Sequence, residues 1–193
     1  MDRVKFKNAV NLARLLAEQI LSPGDVAVDA TCGRGRDTLF LAGRVGEAGK
    51  VYAFDIQEEA ISSTRTLLAE NSCSRPVILL QVNHALMGKY IRENPAVVMF
   101  NLGYLPGGDH AIHTRGDSTI AALREALELL LPEGMMTVVC YPGFPAGEEE
   151  TREVVQFLAA LPQQQYEVSR TCFINQVNQP PQLLVVRKHG REA

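Results

Sequence analysis

Apolar positions along the chain fall into two alternating rhythms. Over 6–20 the residues Phe6, Ala9, Val10, Ala13, Leu16, Ala17 and Ile20 recur at helical spacing, and Ser22-Pro23-Gly24 closes the segment. A short apolar strand follows at 25–30, then a helix from near Asp37, the strand Lys50–Asp55, a helix over 57–71 and the strand Val77–Val82. A short helix after His84, the strand Ala96–Asn101, a helix from near Asp117, the strand Met135–Tyr141 and a helix over 148–160 continue the series. Such βαβ repetition predicts a parallel sheet with helices on both faces. The tail departs from it: Tyr166–Ile174 and Leu183–Lys188 read as strands with no helix between them, joined by a turn around Asn178-Gln179-Pro180-Pro181. A terminal hairpin should therefore close the sheet. The expectation is one domain over 1–193, opened by an N-terminal helical segment over 1–22.

Composition narrows the setting. A chain of 193 residues with 46% hydrophobic content can bury one substantial core. The cysteines Cys32, Cys73, Cys140 and Cys172 contain no C-x-x-C pair, so neither a zinc site nor a disulfide framework is indicated. No apolar run reaches membrane-spanning length and the first residues lack a secretory apolar stretch, which leads to the expectation of a cytoplasmic protein. A net charge of −3 does not mark a nucleic-acid binder, yet Arg3, Lys5, Lys7 and Arg14 cluster at one end and Arg187, Lys188 and Arg191 at the other. Charge alone decides neither way.

The candidate chemistry begins where the first strand, Val26–Asp29, runs into Ala30-Thr31-Cys32-Gly33-Arg34-Gly35-Arg36-Asp37. Gly33 and Gly35 permit the sharp strand-to-helix turn and close approach of a ligand to bare backbone. Asp55 ends the next strand about 20 residues further on, the spacing at which a carboxylate meets a nucleoside ribose. A pyrophosphate-binding G-x-G-x-x-G would carry a third glycine where Thr38 stands. Asp29 beside the turn instead suits a cation, such as the sulfonium and amino groups of S-adenosylmethionine. A second constellation, Asn101-Leu102-Gly103-Tyr104-Leu105-Pro106-Gly107-Gly108-Asp109, lies at the end of strand four. In an open α/β sheet that loop borders the ligand crevice. Asn101 can hold an amine, and Tyr104 and Pro106 can pack on a planar base.

The segments DATCGRGRDTLFLA, VYAFDIQ, FNLGYLPGGD, YPG, FINQ and PPQ resemble the MnmM-type tRNA methyltransferases, a family formerly labelled rRNA methylases. The resemblance covers most of the chain, and NLGYLPGGD is its most specific part. The sequence differs from the pattern at Arg34, Arg36 and Phe144, where Asn, His and His are expected. The resemblance implies an α/β, Rossmann-like class I methyltransferase fold: a mostly parallel seven-stranded sheet of order 3-2-1-4-5-7-6 with an antiparallel terminal strand. It also implies S-adenosyl-L-methionine as cofactor and the aminomethyl nitrogen of wobble 5-aminomethyl-2-thiouridine in bacterial tRNA as methyl acceptor. Methylation of rRNA or of a small-molecule amine, or cofactor binding without turnover, are the alternatives.

On this reading the cofactor contacts come from Asp29, Thr31, Gly33, Gly35, Asp37 and Thr38 around the turn. Asp55, Ile56, Gln57, His84 and Asn101 supply the rest. Asn101, Tyr104 and Asp109 stand at the reacting centre, with Asp109, His110 or water as proton acceptor. Leu105, Pro106, Gly107, Arg115 and Tyr141 meet the substrate. The expected partner is a tRNA anticodon stem-loop, with neither membrane nor metal involved and homodimerisation left open.

Overall fold

The computed structural model describes residues 8–105, 107 and 113–190. Helix α1 (Ala9–Ile20) starts where the Asn8 side chain accepts the Asn11 N–H at 2.8 Å, and it buries Ala9, Leu12, Ala13 and Ala17. There follow β1 (Val26–Asp29), α2 (Arg36–Val45), β2 (Lys50–Asp55), α3 (Glu58–Glu70) and β3 (Val77–Gln81). A 3₁₀ turn at His84–Lys89, capped by the Asn83 side chain, leads to β4 (Val97–Asn101), α4 (Gly116–Leu129), β5 (Met135–Cys140) and α5 (Pro145–Ala159). Strands β6 (Tyr166–Thr171) and β7 (Gln182–Lys188) complete the sequence of elements.

The seven strands form one sheet in the order β3-β2-β1-β4-β5-β7-β6. The first five are parallel, and β7 runs antiparallel between β5 and β6. Alternate side chains of the central strands enter opposite cores. Val28, Phe54, Val98, Phe100 and Met136 pack beneath α4 and α5, whereas Ala27, Val51, Val97 and Met99 pack beneath α1 and α2. Strand order reverses between β1 and β4, so their carboxyl ends diverge into α2 on one face and α4 on the other. A crevice opens there.

Two boundaries differ from the sequence expectation. Helix α5 starts at Pro145, three residues before the expected 148, because proline at the first helical position costs no hydrogen bond and already has helical φ. Strand β6 stops at Thr171, which pairs with Leu183, and the expected continuation to Ile174 has no pairing partner. Residues 172–181 form a loop instead, with Asn178 and Gln179 both at positive φ.

Candidate active site

A cavity of about 1050 Å³ occupies the crevice at the carboxyl ends of the strands. Its floor is the β1–α2 turn. Gly33, at φ +51°, donates its N–H to the Asp55 carboxylate at 3.0 Å, and the other Asp55 oxygen accepts the Gln57 N–H at 3.0 Å. Each carboxylate oxygen keeps acceptor capacity toward the cavity, enough for two ribose hydroxyls. Ile56 beside it is 52% exposed, an apolar face of the kind a purine covers. Gly35 does a different job from Gly33: at φ +81°, a Cβ here would stand 2.9 Å from Thr64 Cα, so the glycine lets α2 begin against α3. It does not line the cavity.

The three aspartates near the turn are also separated by the fold. Asp29 is fully buried, accepts from Thr38 Oγ1 at 2.6 Å and Thr31 N–H at 3.2 Å, and is absent from the cavity wall. Burial, with the Asp37 charge added, pushes its carboxyl up to about 7. Asp29 and Thr38, expected to touch the ligand, thus stand behind the turn, because their short side chains point inward from the strand end and first helical turn. Asp37 does face the cavity. It pairs with Arg14 of α1 at 2.5 Å and receives Asn101 Nδ2 at 3.4 Å. Asp37 and Asp55 on the wall, with Asp29 behind, make this end of the cavity favourable to a cation.

Strand β4 ends on the opposite wall. The Thr31 hydroxyl accepts the Asn101 N–H at 2.7 Å and ties β1 to β4, while Asn101 Oδ1 is buried without a hydrogen-bond partner. Tyr141 lies nearby. Burial first, and Asp37 second, push its phenol up to about 12, so it remains a donor at neutral pH. Tyr104 meets Phe144 edge-on with centroids 5.6 Å apart. Leu105 and Arg115 also line the cavity, whereas Gly107 sits beside Arg34 outside the lining. Pro106, Asp109 and His110 lie outside the described residues. At the end of the cavity lined by Ile56, Gln57 and Asn83, His84 Nδ1 bonds the Ala30 carbonyl at 3.1 Å, and burial lowers the imidazole's proton affinity. The neutral ring therefore offers Nε2 as an acceptor.

Residues 51–187 match the family described as "Putative rRNA methylase". A protein of Arabidopsis thaliana named tRNA (mnm(5)s(2)U34)-methyltransferase, chloroplastic, is 39% identical over 196 residues, covering 96% of this chain and 70% of its own. The chain belongs to this methylase family. A crystal structure from Clostridium thermocellum, described in the same words as the family, superimposes with TM-score 0.94 at 46% identity, covering 95% of this chain and 99% of the other. A "putative methyltransferase" of Streptococcus mutans, solved in complex with SAH (S-adenosylhomocysteine), superimposes with TM-score 0.88 at 34% identity and the same coverage. The homologues and structural neighbours are methyltransferases that take S-adenosylmethionine, and the cavity of this methylase carries donors and acceptors suited to it.

Sequence reasoning missed two contributions to the site. Asn8, the N-cap of α1, and Asn11 and Arg14 within it line the cavity, and their i, i+3, i+6 spacing on the polar side of the apolar stripe was the available signal. Gln176 to Pro181 of the β6–β7 loop also line it. Glu150 had no signal at all. It lies among exposed glutamates in the sequence, yet it is buried and accepts from Thr114 and Thr119, each at 2.7 Å. Among the described residues, no group of three or more His, Cys, Asp or Glu is placed to hold a metal ion, and no helix is long and apolar enough to cross a membrane.

Proposed function

We propose that this methylase transfers a methyl group to the aminomethyl nitrogen of 5-aminomethyl-2-thiouridine at the wobble position of tRNA. The observation that carries the reading is the Asn101 side chain. Its Nδ2 is directed at Asp37, which leaves a buried Oδ1 with no partner at the rim where strand four meets the cavity. A buried acceptor without a donor is costly, and an amine N–H brought to that rim satisfies it. The Arabidopsis relative's name supports the same chemistry.

In this reading Asp55 accepts the ribose hydroxyls, Ile56 and Gln57 cover the adenine, and the His84 ring supports that end. The carboxylates at the floor favour the positive charge of the cofactor. When bound, S-adenosylmethionine supplies an electrophilic methyl on its sulfonium, so that attack by the amine lone pair forms N–C, breaks C–S and leaves S-adenosylhomocysteine. Tyr104, Leu105 and Tyr141 hold the base, Pro106 and Gly107 are further candidates for it, Asp109 is a candidate proton acceptor, and Arg115 meets backbone phosphate. Alignment of amine and methyl in a dry cavity contributes most, since near-attack geometry is worth roughly 7–11 kcal/mol. A wobble base already sits in a loop and needs little unstacking to enter.

The test is nucleoside mass spectrometry of tRNA carrying 5-aminomethyl-2-thiouridine after incubation with the enzyme and methyl donor. The expected result is a mass gain of one methyl on that nucleoside. Methylation found only on rRNA or on a free amine replaces the reading with the corresponding alternative.

A further inference from the structure

Opposite the carboxylate floor, the two ends of the loop after β4 meet in an isolated bridge between Tyr104 and His113, which brings an imidazole into the cavity wall. His113 Nδ1 is buried and makes no hydrogen bond among the described residues. The ring stands edge-on to Phe144, with centroids 6.3 Å apart and planes at 84°, so an apolar neighbour shields one side from water. Behind the loop lies the Glu150 carboxylate, only 4% exposed. The adjacent Thr114 ties the two together: its hydroxyl accepts the Gly103 N–H at 2.8 Å and donates to Glu150 at 2.7 Å. Burial raises the Glu150 carboxyl, and the hydrogen bonds from Thr119 and Thr114, followed by the charge of His113, oppose that rise.

These features fit a proton-transfer site. A carboxylate held in a poorly solvated position is stabilised when a neighbouring imidazole becomes charged. The His113 ring lies in the cavity wall, and imidazole is the side chain suited to taking a proton near neutrality. The acceptor nitrogen of an alkylamine is mostly an ammonium at neutral pH, with no lone pair to attack. It must first give up a proton.

We propose that His113 is the catalytic base that takes this proton, with Glu150 as the positioning residue that favours the resulting imidazolium. The inference rests on the amine-methylation reading above. A lone pair on the imidazole forms the new N–H bond, and the electrons of the broken substrate N–H bond remain on the amine nitrogen as its nucleophilic pair. Positive charge passes from ammonium to imidazolium, beside the Glu150 carboxylate. Among the described residues, the charged or titratable groups about this segment include Tyr104 across the bridge, Arg115 two positions on, Glu150 bonded to Thr114, and Glu153 beside Gly116.

The experiment compares wild type with His113→Gln on tRNA bearing 5-aminomethyl-2-thiouridine, at pH 7 and at about pH 10, where an alkylamine has largely lost its proton. The expected kcat deficit is roughly 100-fold at pH 7, within the range for a general base. It should shrink to a few-fold at the higher pH, with S-adenosylhomocysteine affinity by calorimetry unchanged. A deficit of the same factor at both pH values, or none, overturns the role of His113. If His113→Gln loses S-adenosylhomocysteine binding, His113→Asn replaces it under the same criteria. Glu150→Gln should show the same pH pattern in weaker form, a kcat deficit at pH 7 that shrinks at about pH 10, because a negative charge favouring the imidazolium has gone. A deficit of the same factor at both pH values, or none, overturns the role of Glu150. Wild-type enzyme that leaves the aminomethyl nucleoside unmethylated removes the functional reading itself, whereas active wild type with a pH-independent defect removes only the base.

Discussion

Asp55 and Asp29 are both carboxylates at the ends of neighbouring strands, yet the fold gives them different work. Asp55 holds the turn through Gly33 and Gln57 and still presents acceptors to the cavity. Asp55→Ala should therefore weaken S-adenosylhomocysteine binding at least about tenfold, since hydrogen bonds to a charged group contribute about 1.5–3 kcal/mol. Unchanged affinity by isothermal calorimetry rejects the ribose assignment. Asp29 is a structural anchor whose carboxyl is raised from 3.8 to about 7 by burial and by Asp37. A raised carboxyl binds more protons folded than unfolded, so its contribution to stability is greatest below pH 3.8 and is lost as pH rises toward 7. Asp29→Asn should flatten the fall in unfolding free energy over that window relative to wild type. Chemical denaturation at several pH values reads this directly, and parallel curves for the two proteins count against it.

At the scale of elements, the same eight-residue turn, Ala30 to Asp37, carries two glycines with unlike reasons. Gly33 keeps backbone open to the cavity, whereas Gly35 is needed because α3 lies against it. Gly35→Ala should destabilise by about 1–3 kcal/mol through its positive φ and the clash with Thr64. A melting temperature equal to wild type refutes the packing role. Most elements were legible because hydrophobic period and turn residues are local properties. The start of α5 was not, since Pro145-Ala146-Gly147 reads as a loop until Gly147 is seen to seat against the Tyr141 carbonyl and the Phe144 ring. The end of β6 was not legible either: Cys172, Phe173 and Ile174 carry strand-like side chains, but the ladder stops at the Thr171–Leu183 pair, and in that register Phe173 and Ile174 stand opposite Pro181 and Pro180, which have no N–H to donate.

For the whole molecule, a net charge of −3 coexists with arginines gathered at one opening. Arg14 is engaged by Asp37 and Arg34 by Glu59, while Arg36 and Arg115 are exposed on the rim of the cavity. If these two meet RNA phosphates, Arg36→Ala and Arg115→Ala should each weaken tRNA binding across sequences. Each should also reduce the slope of log affinity against log salt by about 0.7, the single-strand value per phosphate contact. Fluorescence anisotropy over a salt series measures both, and an unaltered slope places the RNA elsewhere. Cofactor affinity should stay at its wild-type value in both variants.

The sequence by itself determined the order of elements and the carboxylate that closes β2, because both follow from short-range periodicity and turn chemistry, while the strand order that opens the crevice between β1 and β4 came from the family resemblance. It also nominated residues for that crevice. Tertiary structure decided which of them face it. Asp29 and Thr38 turned inward while Asp37, one position before Thr38, turned outward to Arg14 on a helix 23 residues away. The approach of α5 to the start of α4 set Glu150 against Thr114 and Thr119. Side-chain direction and long-range contact depend on how helices settle on both faces of the sheet, and no local stretch of residues encodes that alone.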